Sequence, residues 1–61
     1  MKIGDYICVK PGTHDDRMPA GRRDGMIVEI VGLKKDQAIV MFSNSAFLKF
    51  HKSQLKSLAK S

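Results

Sequence analysis

Two apolar runs separated by a charged turn constrain this chain more than any other feature. Gly25-Met26-Ile27-Val28-Glu29-Ile30-Val31-Gly32 is followed, after Leu33-Lys34-Lys35-Asp36, by Gln37-Ala38-Ile39-Val40-Met41-Phe42. Both runs are rich in β-branched and apolar residues and lack Pro, while the residues between them are turn formers or solvent-seeking charges. The pattern predicts two central strands and their hairpin. Strict alternation would set Val31, Ile39 and Met41 opposite the core set. The alternative, at which the Gly25/Ile27/Ile30 spacing hints, is a bulge near Val28-Glu29 that changes which residues face inward, so the buried face of this strand stays open.

The rest of the chain divides around that hairpin. Residues Ile3 to Lys10 alternate, with Ile3, Ile7 and Val9 on one side and Tyr6, Cys8 and Lys10 on the other, as suits a half-buried strand. Gly4-Asp5 marks its entry and Pro11-Gly12 ends it. Thr13 to Asp24 has no periodicity and reads as a long loop, long enough in so small a chain to be a candidate binding surface. Ser43-Asn44-Ser45 is a turn, and Phe47-Leu48-Lys49-Phe50 is a short strand that sets Leu48 and Phe50 inward and Phe47 and Lys49 outward, or the reverse if the register slips by one residue. A single 3₁₀ turn over His51-Lys52-Ser53-Gln54 leads to a last short strand, from which Leu55 and Leu58 close the core before Ala59-Lys60-Ser61 frays.

Sixty-one residues make one domain, 1–61, in which most apolar side chains are needed for the core. A deep substrate cavity is not expected, which argues against an enzyme. The single cysteine, Cys8, excludes an internal disulfide and suits a reducing compartment. No apolar run exceeds the five residues Ala38 to Phe42, and no signal-peptide segment opens the chain, so a cytoplasmic protein without a membrane partner is expected. The net charge of +5 favours polyanions or acidic proteins. It is unevenly placed, because all six acids fall in the first 36 residues and four lysines follow with none.

Five short strands, a long first loop, a tight central hairpin and a 3₁₀ turn before the last strand match the order of an all-β, five-stranded SH3-like barrel. The chain resembles the KOW-type domains of NusG-class transcription factors and several ribosomal proteins. The matching positions are Gly4-Asp5 with Ile7 and Val9, Pro11-Gly12, Gly25 with Ile27 and Ile30, Ala38, Val40 and Phe42, and the closing Leu48-Lys49-Phe50-His51-Lys52-Ser53-Gln54-Leu55. The loop before Gly25 is longer than in a typical KOW motif and carries Arg22-Arg23, and Lys52 stands where an apolar residue is common. This resemblance implies binding to nucleic acid or a ribonucleoprotein. Small photosynthetic subunits with the same skeleton dock acidic electron carriers, and that likeness implies an acidic protein partner.

The candidate site residues follow from charge and aromaticity. Arg17, Arg22 and Arg23 in the long loop, Lys34 and Lys35 at the hairpin tip, and Lys49, Lys52 and Lys56 toward the end are suited to phosphates or carboxylates, with Tyr6 and Phe47 available for stacking. In an SH3-like barrel several of these basic residues can share one side. The competing reading is a solvated surface in which Arg22 and Arg23 pair with Asp15, Asp16 or Asp24. Ile39, Met41 and Phe47, with the long loop, are the alternative: an apolar patch for a protein–protein adaptor on an acidic or larger assembly, including a viral or accessory protein on a host complex. A C2 homodimer is the commonest form of self-association through such a patch. Met18 either packs against a partner or covers the open end of the fold. His14-Asp15-Asp16, even with His51, is a poor metal set, and neither Cys8 with His14 or His51, nor Ser43, nor Ser53 has the base and orienting group that a nucleophile needs. No cofactor and no catalytic residue are expected.

Overall fold

The computed structural model describes residues 1–13, 15–19 and 21–58. Five strands and one 3₁₀ turn follow in chain order: β1 (Tyr6–Val9), β2 (Asp24–Val31), β3 (Gln37–Met41), β4 (Phe47–His51), the 3₁₀ turn (Lys52–Gln54) and β5 (Leu55–Ser57). All pairings are antiparallel and the sheet order is β4-β3-β2-β1-β5. The hydrogen-bonded ladder therefore stays open, with β4 and β5 as its edges, where full closure was expected.

One face of this curved sheet is the core. Ile7, Val9, Ile27, Ala38, Val40, Phe42, Leu48, Phe50 and Leu55 form a single buried cluster, with Met18 and Ile30 packed against it. Phe42 meets Phe50 edge-on at 6.2 Å between ring centroids, the geometry that the aromatic quadrupole prefers. Leu48 and Phe50 point inward and Phe47 and Lys49 outward, as the alternation predicts. The bulge is present too. Ile27 pairs with Val40 but Glu29 pairs with Ile39, so the register shifts by one residue across Val28. That extra residue returns Ile30 to the core side opposite Ala38, which simple alternation with Ile27 would not do.

Two expected core residues lie outside the core. The first strand begins at Tyr6, beyond a turn in which the Asp5 N–H donates to the Lys2 carbonyl, and Ile3 is 62% exposed. Leu58 follows the end of β5 and is 47% exposed. Parity explains it: Leu55 faces in, so Leu58, three residues on, faces out. Ala59 to Ser61 and His14 lie outside the described residues, and with them the expectation of a frayed end and the His14 part of the metal reading.

Local chemistry sets the connections. After β2, Gly32 at φ 95° and Lys35 at φ 54° allow a tight return, with the Lys35 N–H donating to the Gly32 carbonyl at 3.1 Å. In the β3–β4 turn the Ser45 N–H donates to the Phe42 carbonyl and the Asn44 side-chain oxygen accepts from the Ala46 N–H. The 3₁₀ turn has reciprocal caps: His51 Nδ1 accepts from the Ser53 N–H at 3.1 Å, and Gln54 Oε1 accepts from the His51 N–H at 2.9 Å.

Candidate interaction face

The register places a defined set of side chains on the sheet face away from the core. Tyr6 lies opposite Met26, Met26 opposite Met41, and Met41 opposite Phe47. Residues directly opposite in an antiparallel pair project to the same face, so these four form one row across four strands. Leu58 extends the row beside β1, where its N–H donates to the Tyr6 carbonyl at 3.0 Å. Tyr6 and Phe47 are 64% and 58% exposed, while Met26 and Met41 are half-buried between them. At strand spacing the two rings stand ~14 Å apart.

Charged rows flank this stripe. On one side Lys56, Cys8 and Asp24 are successive partners across β5, β1 and β2. On the other, Glu29, Ile39 and Lys49 are successive partners across β2, β3 and β4, and Val31, Gln37 and His51 form the next row. Acid and base thus alternate on both sides of the apolar row. Tyr6, Met26 and Met41 of this row, with Asp24, Gly25, Phe42 and Ser43 beside it, line an open cleft of ≈ 230 Å³. Gly25 itself faces the core, because a Cβ there would meet Val40 Cγ1 at 2.6 Å and the Met41 carbonyl oxygen at 2.7 Å.

The loop arginines are engaged within the loop. The Asp15 carboxylate accepts from the Arg17 backbone N–H, Nε and Nη2 at 2.9, 3.1 and 3.1 Å, and these hydrogen bonds, followed by the charge attraction, hold the Arg17 guanidinium above its ordinary pKa. Arg23 donates through Nε to the Val9 carbonyl at 3.1 Å, and through Nη2 to those of Lys10, at 2.7 Å, and Thr13. Its fork spans the carbonyls on which the loop begins, so it works as an internal clamp. Arg22 lies 3.7 Å from Asp24, with both side chains largely exposed.

The basic residues do not gather on one side. Arg22 and Arg23 precede β2 and Lys34 and Lys35 follow it, and seven residue steps of a strand separate those ends by ~23 Å. Lys52 continues from β4 at the hairpin-tip end, its N–H donating to the Asp36 carbonyl at 2.8 Å, and His51 Nε2 lies 3.4 Å from Asp36 Oδ2. Lys49 on β4 and Lys56 on β5 stand on the outer face, at its two opposite edges. Ile39 and Met41 share that face with Phe47, whereas Met18 covers the core cluster. Met26, Asp24, Glu29 and Leu58 join the site without having been singled out for it. The parity of Met26 against Ile27 was the available signal.

Among the described residues no group of three His, Cys, Asp or Glu side chains is placed to hold a metal ion. No helix of the described residues is long and apolar enough to cross a membrane. No protein-family model, curated protein sequence or solved structure matches this chain. What the fold and the face define is a small, open antiparallel sheet with an apolar row on its solvent side.

Proposed function

We propose that this chain is a non-enzymatic binding module that docks on a protein surface through the outer face of its sheet. The row Leu58-Tyr6-Met26-Met41-Phe47 supports this reading. An apolar and aromatic centre with a rim of mixed charge is the usual anatomy of a protein–protein contact. A phosphate backbone calls instead for charges of one sign along its track. The strand order and the 3₁₀ turn before the last strand are compatible with the SH3-like, KOW-type resemblance, which favours binding over catalysis. Single-stranded nucleic acid is the second reading, supported by two exposed rings on one face beside Lys49 and by the net charge of +5.

A photo-reactive phenylalanine analogue at position 47 tests the first reading against the same analogue at Leu33, which is fully exposed at the hairpin tip. In cells that make this protein, position 47 should capture a discrete protein that position 33 does not. Equal capture from both positions, or none from 47, counts against docking by this face. For the second reading, labelled single-stranded RNA should show salt-sensitive anisotropy that falls with Tyr6→Ala and Phe47→Ala.

A further inference from the structure

The outer face of β2, β3 and β4 is a three-by-three array. Its rows are Met26-Met41-Phe47, Glu29-Ile39-Lys49 and Val31-Gln37-His51, and its central column is β3. A two-fold axis parallel to β3, lying between two stacked sheets, would carry β2 of one copy over β4 of the other and leave β3 over β3. Met26 would then face Phe47 of the second copy, Glu29 would face its Lys49, and Val31 its His51. Met41, Ile39 and Gln37 would each meet their own counterparts. The pairings are compatible: a thioether on an aromatic ring, a reciprocal pair of opposite charges, apolar contacts of Met41 and Ile39 with their counterparts, the Val31 methyls against an imidazole whose ring nitrogens stay with Asp36 and Ser53 of its own chain, and a side-chain amide that can donate to and accept from its twin.

We propose that the partner of this face is a second copy of the same chain, packed in that two-fold arrangement; the inference rests on the docking role given to the face above. Charge complementarity carries it. Glu29 and Lys49 sit at equal distances, ~5 Å, on either side of Ile39, so the rotation superposes opposite signs twice over. The opposite sense, with the axis perpendicular to the strands, would place Met41 against Gln37 and Phe47 against His51, and each charge over its own copy. The cleft fits as well. Phe47 of the second copy arrives over Met26, where Tyr6 and Met41 flank the ≈ 230 Å³ opening and Tyr6 offers a ring-to-ring contact. Aligned packing of two twisted sheets is an ordinary arrangement for faces ~10 Å apart. Three strands by three rows project roughly 300 Å² per copy, well under the ~800 Å² of a standard interface, so the association is weak and reversible.

The test is sedimentation and NMR titration of the full chain from roughly 10 μM to 1 mM, the range in which so small an interface would act. The wild type should shift from monomer to dimer, with concentration-dependent signals at Met26, Met41 and Phe47. Glu29→Lys and Lys49→Glu should each weaken self-association by about tenfold or more, because each places two like charges together. An equimolar mixture of the two variants should associate as a heterodimer, since both cross-pairs regain opposite charges. Both variants keep a net positive charge, the chain being +5 before a change of two in either direction, so bulk attraction cannot produce that result. Melting curves of the two variants, both altered at exposed positions, confirm that they fold. A wild type monomeric throughout, single variants that associate as well as the wild type, or a mixture that does not associate would each overturn the two-fold pairing. If the pairing fails while the position 47 probe still captures a different protein, docking by this face stands with another partner; if both fail, both readings fall.

Discussion

Gly25→Ala is the substitution whose outcome the structure specifies most narrowly. Gly25 sits in β2 opposite Ile7, on the core side, where a Cβ would lie 2.6 Å from Val40 Cγ1, 2.7 Å from the Met41 carbonyl oxygen and 3.4 Å from the Met41 carbonyl carbon. The Val40 methyl is part of the fully buried core and cannot swing clear without disturbing Ile27 or Leu48, its neighbours in the same row. The Met41 oxygen is backbone, so β3 itself would have to move. Overpacking of this kind costs about 1–3 kcal/mol, against a gain of about 0.4–1 kcal/mol from reduced unfolded-state entropy. The net is roughly 1–2 kcal/mol of destabilisation, and at 4–8 °C per kcal/mol for a domain of this size the melting temperature should fall by roughly 4–16 °C. Thermal unfolding followed by circular dichroism reads this directly. Gly25→Ala in a Val40→Ala background removes the methyl clash but leaves the carbonyl one, so the alanine should cost less there without becoming favourable. A Gly25→Ala protein melting at or above the wild-type temperature would refute the reasoning.

Substitutions at two further positions test the local supports of the fold. Arg23→Ala removes three charge-assisted donor contacts to the Val9, Lys10 and Thr13 carbonyls and should cost about 2 kcal/mol. Arg23→Lys should recover little of it, because an ammonium lacks the planar fork; urea unfolding checks both, and a neutral Arg23→Ala would remove the clamp from the account. Ser45 is held at φ 65°, where a non-glycine residue is strained, so Ser45→Gly should be stabilising by about 0.5–1 kcal/mol after the entropic cost of glycine, seen as a melting temperature a few degrees higher.

Much of the fold was legible from period and punctuation. The central hairpin and the 3₁₀ turn follow from local rules, because a turn has few chemistries, whereas local pattern narrowed the fourth strand to two parities and the second to a bulged or unbulged form, and only the pairing chose Leu48 and Phe50 inward and the bulge at Val28. Ile3 escaped because where a strand starts depends on hydrogen bonds to distant partners, which local pattern does not contain, whereas the outward sense of Leu58 was already implied by its parity with Leu55.

The site divides in the same way. By itself the sequence determined which side chains were available: the aromatics Tyr6 and Phe47, the apolar Ile39 and Met41, the arginine-rich loop and the excess of basic residues. Only the tertiary structure decided how they combine. Cross-strand register aligned Tyr6, Met26, Met41 and Phe47 in one row although up to 41 positions separate them in the chain, and set Glu29 and Lys49 symmetrically about Ile39. The same structure turned Arg23 from a free surface cation into a clamp on three carbonyls. Pairing between strands is a long-range property, fixed by the joint burial of the opposite face, and one bulged residue is enough to change every neighbour a side chain meets.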